Sequence, residues 1–489
     1  MKKILFYIFG SLILIYGLLL IPNSNLVTIA TEGNSTPFIW NQDDRWYGLE
    51  DQFNLIRESS NLVDVDKINA GIELMKEILD ALEKESFSSD DERLDILLDI
   101  FFETAPFVAA QVKQEPAFFE IYDRSRRVLK AASINWDVDL LETRTSLYKV
   151  MFGMRATVEE VLLQSKNEIE PVIYVTEEAS ATPSTELFGI TVHSGDLLVS
   201  RGGAEVSALI SRGNDFPGNF SHVALIYVEE GTNIAYLIEA HIERGVAIAS
   251  AYEYVNDGKQ RFMVLRPRAD LPELLEDPML PHFAAQDVYE EVNARHIPYD
   301  FKMDFYDSEK MFCSEVGSYA YKKRGIKLWE SESTISSNGV ITLLNTFGVE
   351  NFVTQMPSDL EYDPKLSVVA EWRDTNALYD DHVYNAVIDA MLECAELEVE
   401  IEVNEWMLPA VRLVKGYSLV KNLMGKEGPI PAGMNATQAL KSDAFIKRHE
   451  DLKMMTNFDI QEFLKKEDYI PPYWEMFRMA RENARCATF

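Results

Sequence analysis

Apolar positions recur with helical spacing through the first third of the chain. In VDKINAGIELMKEILDALEKE, Ile68, Ile72, Met75, Ile78, Leu79 and Leu82 share one face, the rhythm of a helix with one buried stripe. DERLDILLDIFFETAPFVAAQV and WDVDLLETRTSLYKVMFGMRATVEEVLLQ continue it, so the chain up to about Lys166 reads as α-helical. No repeat period is evident. Near Val172 the texture changes. GDLLVS, SHVALIYV, AYLIEAHIERGVAIAS and RFMVLRP are short runs rich in Val, Ile, Leu and Tyr, separated by Gly, Asn and Asp turns, which predicts β-strands. AEVSALISRG between the first two predicts a short helix, and a second helix is expected from about Met279 to Arg295. From about Asp381 the pattern is helical again, with YIPPYW as an extended or turn segment in the tail. The fold class is therefore α+β, an antiparallel sheet with helices packed on it, flanked by helical regions. The expected division is an N-terminal segment 1–30, a helical region 31–171, an α+β unit 172–345 and a helical region 346–489.

The N-terminus adds a different signal. Lys2 and Lys3 precede an uncharged apolar run from Ile4 to Ile21, closed by Pro22. As a helix the run would span about 27 Å, close to the about 30 Å of a bilayer core. The run exceeds a usual signal-peptide core, and VTIA is a weak cleavage site. The expectation is a membrane anchor with the bulk of the chain outside the cytoplasm; secretion after signal cleavage is the alternative. The 489 residues have 80 acidic and 46 basic side chains, a formal net charge of −34. Such a surface repels polyanions, so nucleic acid is excluded as a partner. At 47% hydrophobic residues the chain can bury a sizeable core.

Three cysteines, Cys313, Cys394 and Cys486, carry no zinc-ribbon or disulfide-framework spacing. Cys394 reads as a core residue and Cys486 lies near the C-terminal end. Cys313 is placed differently. In SEKMFCSEVGSYAYKKRG, Phe312, Val316, Tyr319 and Ala320 form an apolar stripe, and Lys322, Lys323 and Arg324 crowd the last turn before Gly325. That predicts a helix with Cys313 in its first turn, where unpaired N–H groups favour a thiolate. A buried core cysteine is the competing reading. Thiol catalysis needs a base and a group orienting it. His222 opens the strand SHVALIYV. Glu239 lies mid-strand between Ile238 and Ala240, where a carboxylate is costly unless paired. Glu239 and His241 share a face, and a hairpin would bring that face beside His222. The alternative is a wetted sheet face carrying Glu239, His241 and Glu243. His193, His282, His296, His382 and His449 have no second feature beside them.

GDLLVSRGG, SHVALIYV, YLIEAHIERG, PYDF and MFCSE occur in that order over roughly residues 190 to 330. The set resembles the permuted papain-like amidases of the YiiX/YaeF kind, relatives of the NlpC-type cell-wall peptidases, in which histidine precedes cysteine. The resemblance implies a permuted papain-like core, with Cys313 as nucleophile, His222 as base and Glu239 as the group orienting the histidine. It also implies that Asp196 fixes the turn into the first strand and that Tyr299 and Asp300 line the cleft as substrate-binding positions. The expected activity is a thiol hydrolase or acyltransferase acting on an amide or ester, without a cofactor or metal, on a cell-wall peptide, a lipid or an acylated protein. Two other readings stay open: a non-catalytic envelope scaffold with a vestigial papain-like unit, and a metal site built from Cys313, His222 and Glu239.

Overall fold

The structure is a computed structural model that describes residues 10–11, 14–23, 36–40, 42–58, 65–110, 115–165, 170–329, 331–399, 401–424, 426 and 428–486. Beyond the N-terminal run, the chain forms helices α1 (Asp43–Glu58), α2 (Val65–Leu82), α3 (Glu92–Ala110), α4 (Glu115–Ser133) and α5 (Leu141–Gln164) among the described residues. The predicted stripe of α2 is the buried one, with Ile68, Ile72, Met75, Leu79 and Leu82 all in the core. Phe101 of α3 stacks on Phe118 of α4 at 4.0 Å, and this layer forms one apolar core with one face of the sheet.

The sheet has seven strands: β1 (Val172–Tyr174), β2 (Leu197–Gly202), β3 (His222–Val228), β4 (Ala235–His241), β5 (Gly245–Ser250), β6 (Lys259–Pro267) and β7 (Leu366–Arg373). Their spatial order is β1-β7-β6-β2-β3-β4-β5, and every neighbouring pair is antiparallel. β3 is buried along nearly its whole length, as expected of a central strand covered on both faces. Helices α6 (Glu205–Arg212), α7 (Leu280–Ala294), α8 (Glu315–Lys323) and α9 (Asn338–Phe347) lie between strands. Both α7 and α8 pack on β3. The other sheet face carries a second, smaller core with the hairpin Ser184–Leu187/Ile190–His193. Helices α10 (Ala377–Glu396), α11 (Leu408–Leu423), α12 (Ala436–Glu467) and α13 (Tyr473–Ala484) complete the chain.

Two expectations change. The sheet does not end within 172–345: LSVVAEWR forms β7 and inserts between β1 and β6, so the region 346–489 is not purely helical. Nor are Cys394 and Cys486 separate thiols. They form a disulfide, with Cα atoms 5.1 Å apart, that ties the end of α10 to the chain just past α13. The pairing spans 92 positions, a separation at which nothing local in sequence signals it. Of the expected anchor 4–21, residues 4–9 and 12–13 lie outside the described residues. Among the described residues no helix is long and apolar enough to cross a membrane.

Candidate active site

The site is built at one end of the β3–β4 pair. The register Ala224↔Glu239 runs the two strands so that His222 and His241 meet beyond the last pair, their rings 5.9 Å apart. Glu239 lies between them, almost fully buried. Its Oε2 accepts from His222 Nε2 at 2.6 Å and its Oε1 faces His241 Nε2 at 3.0 Å. The wetted-face reading of this strand is thus replaced by a paired, buried carboxylate. Burial pushes Glu239 up, but the hydrogen bonds from His222 and His241 outweigh it, with the charge of Lys259, and hold it well below the usual glutamate range. Burial lowers His222 below an ordinary histidine, against the pull of Glu239. With Nε2 committed to Glu239, Nδ1 is the ring nitrogen left for a proton transfer.

Cys313 is one residue ahead of the helix N-cap, Ser314, rather than in the first turn of α8. It is buried, and its thiol rests on the main chain that flanks His222. Sγ–H donates to the Ser221 carbonyl at 3.6 Å, and the Val223 N–H faces the sulfur from the other side. The expected stabilised thiolate is not what the surroundings produce. Burial pushes the thiol up to about 12, beyond what the N–H groups of Ser314, Cys313 and Val223 offset. The desolvation of a charged sulfur exceeds the attraction of a few backbone dipoles. Glu315, the first helical residue, adds to this. Its carboxyl is buried and accepts from Phe312 N–H at 2.8 Å. Burial, with Asp300, Asp304 and Asp307 nearby, raises it to about 9.

Tyr299 stands close enough to Cys313 for the two to interact electrostatically, and its strand segment bridges to Met311. Asp300 is turned into its own loop instead: Oδ1 accepts from Lys302 N–H at 3.0 Å and Oδ2 from Asp304 N–H at 2.6 Å. Asp196 accepts the His193 N–H at 2.8 Å and two Arg266 N–H groups at 2.8 Å each, which fixes the turn as expected. Gly195 before it has φ +99, and a Cβ there would come within 2.4 Å of Pro281, so the turn requires glycine.

Gln355 is a residue that sequence reasoning missed. It lies beside the start of α8, where its carbonyl accepts from Ser314 Oγ at 2.6 Å and its Oε1 accepts from Ser318 Oγ at 2.7 Å. The residue is 1% exposed, yet its Nε2 has no hydrogen-bond partner. A buried amide left open next to the Ser314 that follows Cys313 is a polar donor able to meet an acceptor there. No short motif marks it, because it comes from a loop some forty residues downstream. Among the described residues no group of three or more His, Cys, Asp or Glu side chains is arranged to hold a metal ion.

Residues 191–370 fit the family model described as permuted papain-like amidase enzyme, YaeF/YiiX, C92 family. No curated protein and no solved structure matches the chain. The matched segment runs from the strand Ile190–His193 into β7 and contains His222, Glu239, Cys313 and Gln355. Over residues 191–370 the chain is similar to the permuted papain-like amidases, which points to a hydrolase of the amidase or peptidase kind.

Proposed function

We propose that the protein is a thiol hydrolase or acyltransferase in which Cys313, His222 and Glu239 form the catalytic triad. The observation that carries this is the shared carboxylate: Glu239 holds His222 through Nε2, while Cys313 lies against the main chain on both sides of His222. His222 Nδ1 takes the Cys313 proton as Sγ bonds to the carbonyl carbon of an amide or ester. The tetrahedral intermediate expels an amine or alcohol, which leaves with the proton from His222. Water, or an acceptor hydroxyl or amine, then attacks the thioester and releases Cys313. The high thiol pKa of the free site favours this concerted transfer over a preformed thiolate–imidazolium pair. Gln355 Nε2 and the Cys313 N–H would receive the developing oxyanion.

The substrates this chemistry admits are a cell-wall peptide, an acylated lipid or an acylated protein. An envelope location, through an anchor over 4–21 or after its cleavage, fits the Cys394–Cys486 disulfide, since such bonds persist in oxidising compartments.

The test is to incubate purified protein with acyl amides and esters and to look for an acyl adduct by intact-mass and peptide mapping. An adduct on Cys313, absent in His222→Ala, is expected. Gln355→Ala should lower kcat by about 100- to 1,000-fold with little change in KM. A folded protein that forms no adduct and turns over no acyl substrate would favour the scaffold reading.

A further inference from the structure

Helix α11 is the least buried of the long helices in the C-terminal half, and its exposed face is apolar. Leu413, Tyr417 and Val420 follow one another at spacings of four and three, so they line one stripe of α11, extended by the exposed Trp406 in the 3-10 turn Glu405–Met407 before the helix and by Met424 just after it. Trp406 is 71% exposed, Leu413 74% and Leu423, beside the stripe, 89%. The inner side of the helix holds only Leu408, Pro409 and Ser418 as buried residues. An exposed apolar stripe of this length on a soluble surface marks an interaction site.

Two further observations indicate what covers it. From Leu408 to Met424 there are three basic residues, Arg412, Lys415 and Lys421, and no acidic one, in a chain of net charge −34. Lys426 follows just beyond, and is exposed. The stripe is also continuous with the end of the apolar N-terminal run. Tyr16 Oη–H donates to the Trp406 carbonyl at 2.9 Å, Arg412 bonds the carbonyls of Leu18 and Ile21 and the Asn23 side chain at 3.1 Å, and Leu14, Leu18 and Ile21 are exposed alongside.

We infer that α11 lies flat on a lipid bilayer bearing anionic headgroups. Its Trp406–Met424 stripe enters the interface, and Lys421 and Lys426 meet the headgroups. An apolar stripe with Trp and Tyr, flanked by Lys and Arg, is the pattern of an interfacial helix. A protein partner matching an overall acidic surface has no reason to meet a locally basic one of this kind, whereas an anionic lipid surface does. Leu14, Leu18 and Ile21, exposed beside the stripe, enter the same layer, so the two contacts together orient the globular body.

The experiment uses the full chain in a Cys313→Ser background. Leu423→Cys is labelled with an environment-sensitive fluorophore and mixed with vesicles of phosphatidylcholine and phosphatidylglycerol. Leu275→Cys, another exposed leucine, is the control. A blue shift at position 423 and quenching by lipids with a shallow nitroxide, several-fold stronger than at 275, are expected. Leu413→Glu with Val420→Glu should remove that shift without altering the melting temperature, since both side chains face outward. Vesicle binding through the N-terminal run alone, with position 423 as wet as 275, overturns the inference. A shift at 423 that grows with protein concentration in the absence of vesicles also overturns it and makes the stripe a contact between copies of this chain.

Discussion

Glu239 binds two histidines at once, and the two pull on the base in opposite directions. His222→Ala removes the proton acceptor and should lower kcat/KM by about 100- to 10,000-fold. Glu239→Gln and His241→Ala are more informative through pH. His222 sits below 6.5 because of burial, with Glu239 raising it and His241 lowering it. The acid limb of kcat/KM should therefore lie below the ordinary histidine range, move further down in Glu239→Gln and move up in His241→Ala. Equal limbs in all three proteins would remove Glu239 from the proposed triad. Cys313 makes a second prediction at this scale. With its thiol pushed up to about 12, alkylation by iodoacetamide should climb steadily as pH rises, without a plateau near neutrality. A plateau at neutral pH would mean a standing ion pair with His222.

Among the elements, the helical layer and the sheet are joined by ion pairs buried in the apolar core. Arg155 of α5 pairs with Glu361, in the short helix Asp359–Tyr362 that leads into β7, at 1% and 0% side-chain exposure. Arg126 of α4 pairs with Glu371 of β7 at 2.6 Å, and Glu159 of α5 with Arg261 of β6. Such pairs contribute little net stability, but removing one partner leaves an uncompensated charge. Glu361→Ala should destabilise the fold by about 3–5 kcal/mol, read as a lower denaturant midpoint. Exchanging Arg155 and Glu361 together for apolar residues of similar volume should recover most of that loss. If the single change alone were neutral, water would be reaching Arg155.

Across the whole molecule, the Cys394–Cys486 disulfide closes the C-terminal helices on themselves. In the chain-entropy picture a loop of this length contributes about 4–5 kcal/mol. Cys394→Ser should lower the melting temperature, and reductant should lower that of the native chain to the same value while leaving Cys394→Ser unchanged. An identical melt for both proteins before reduction would mean the bond does not form. Because Cys313 is free and buried while Cys394 and Cys486 are held in the disulfide, thiol labelling of the native chain should yield one slow site.

The residues themselves determined the periodicity of α2, the β3–β4 hairpin with His222 and Glu239 on one face, and the helix after Cys313, because each rests on local spacing and turn chemistry. They also carried the order of motifs by which the permuted papain-like segment is identified. Tertiary structure alone decided what depends on distant partners. LSVVAEWR is an apolar run between the turn residues Asp363-Pro364 and Asp374, so its strand character is local, but its place between β1 and β6 depends on partners far away in the chain. Cys394 finds Cys486 across 92 positions. Gln355 reaches the start of α8 from a downstream loop. The Cys313 thiol is raised rather than lowered because the helix terminus that would favour its charge is buried. A helix dipole can be read from sequence, whereas the loss of water around it depends on everything that packs there.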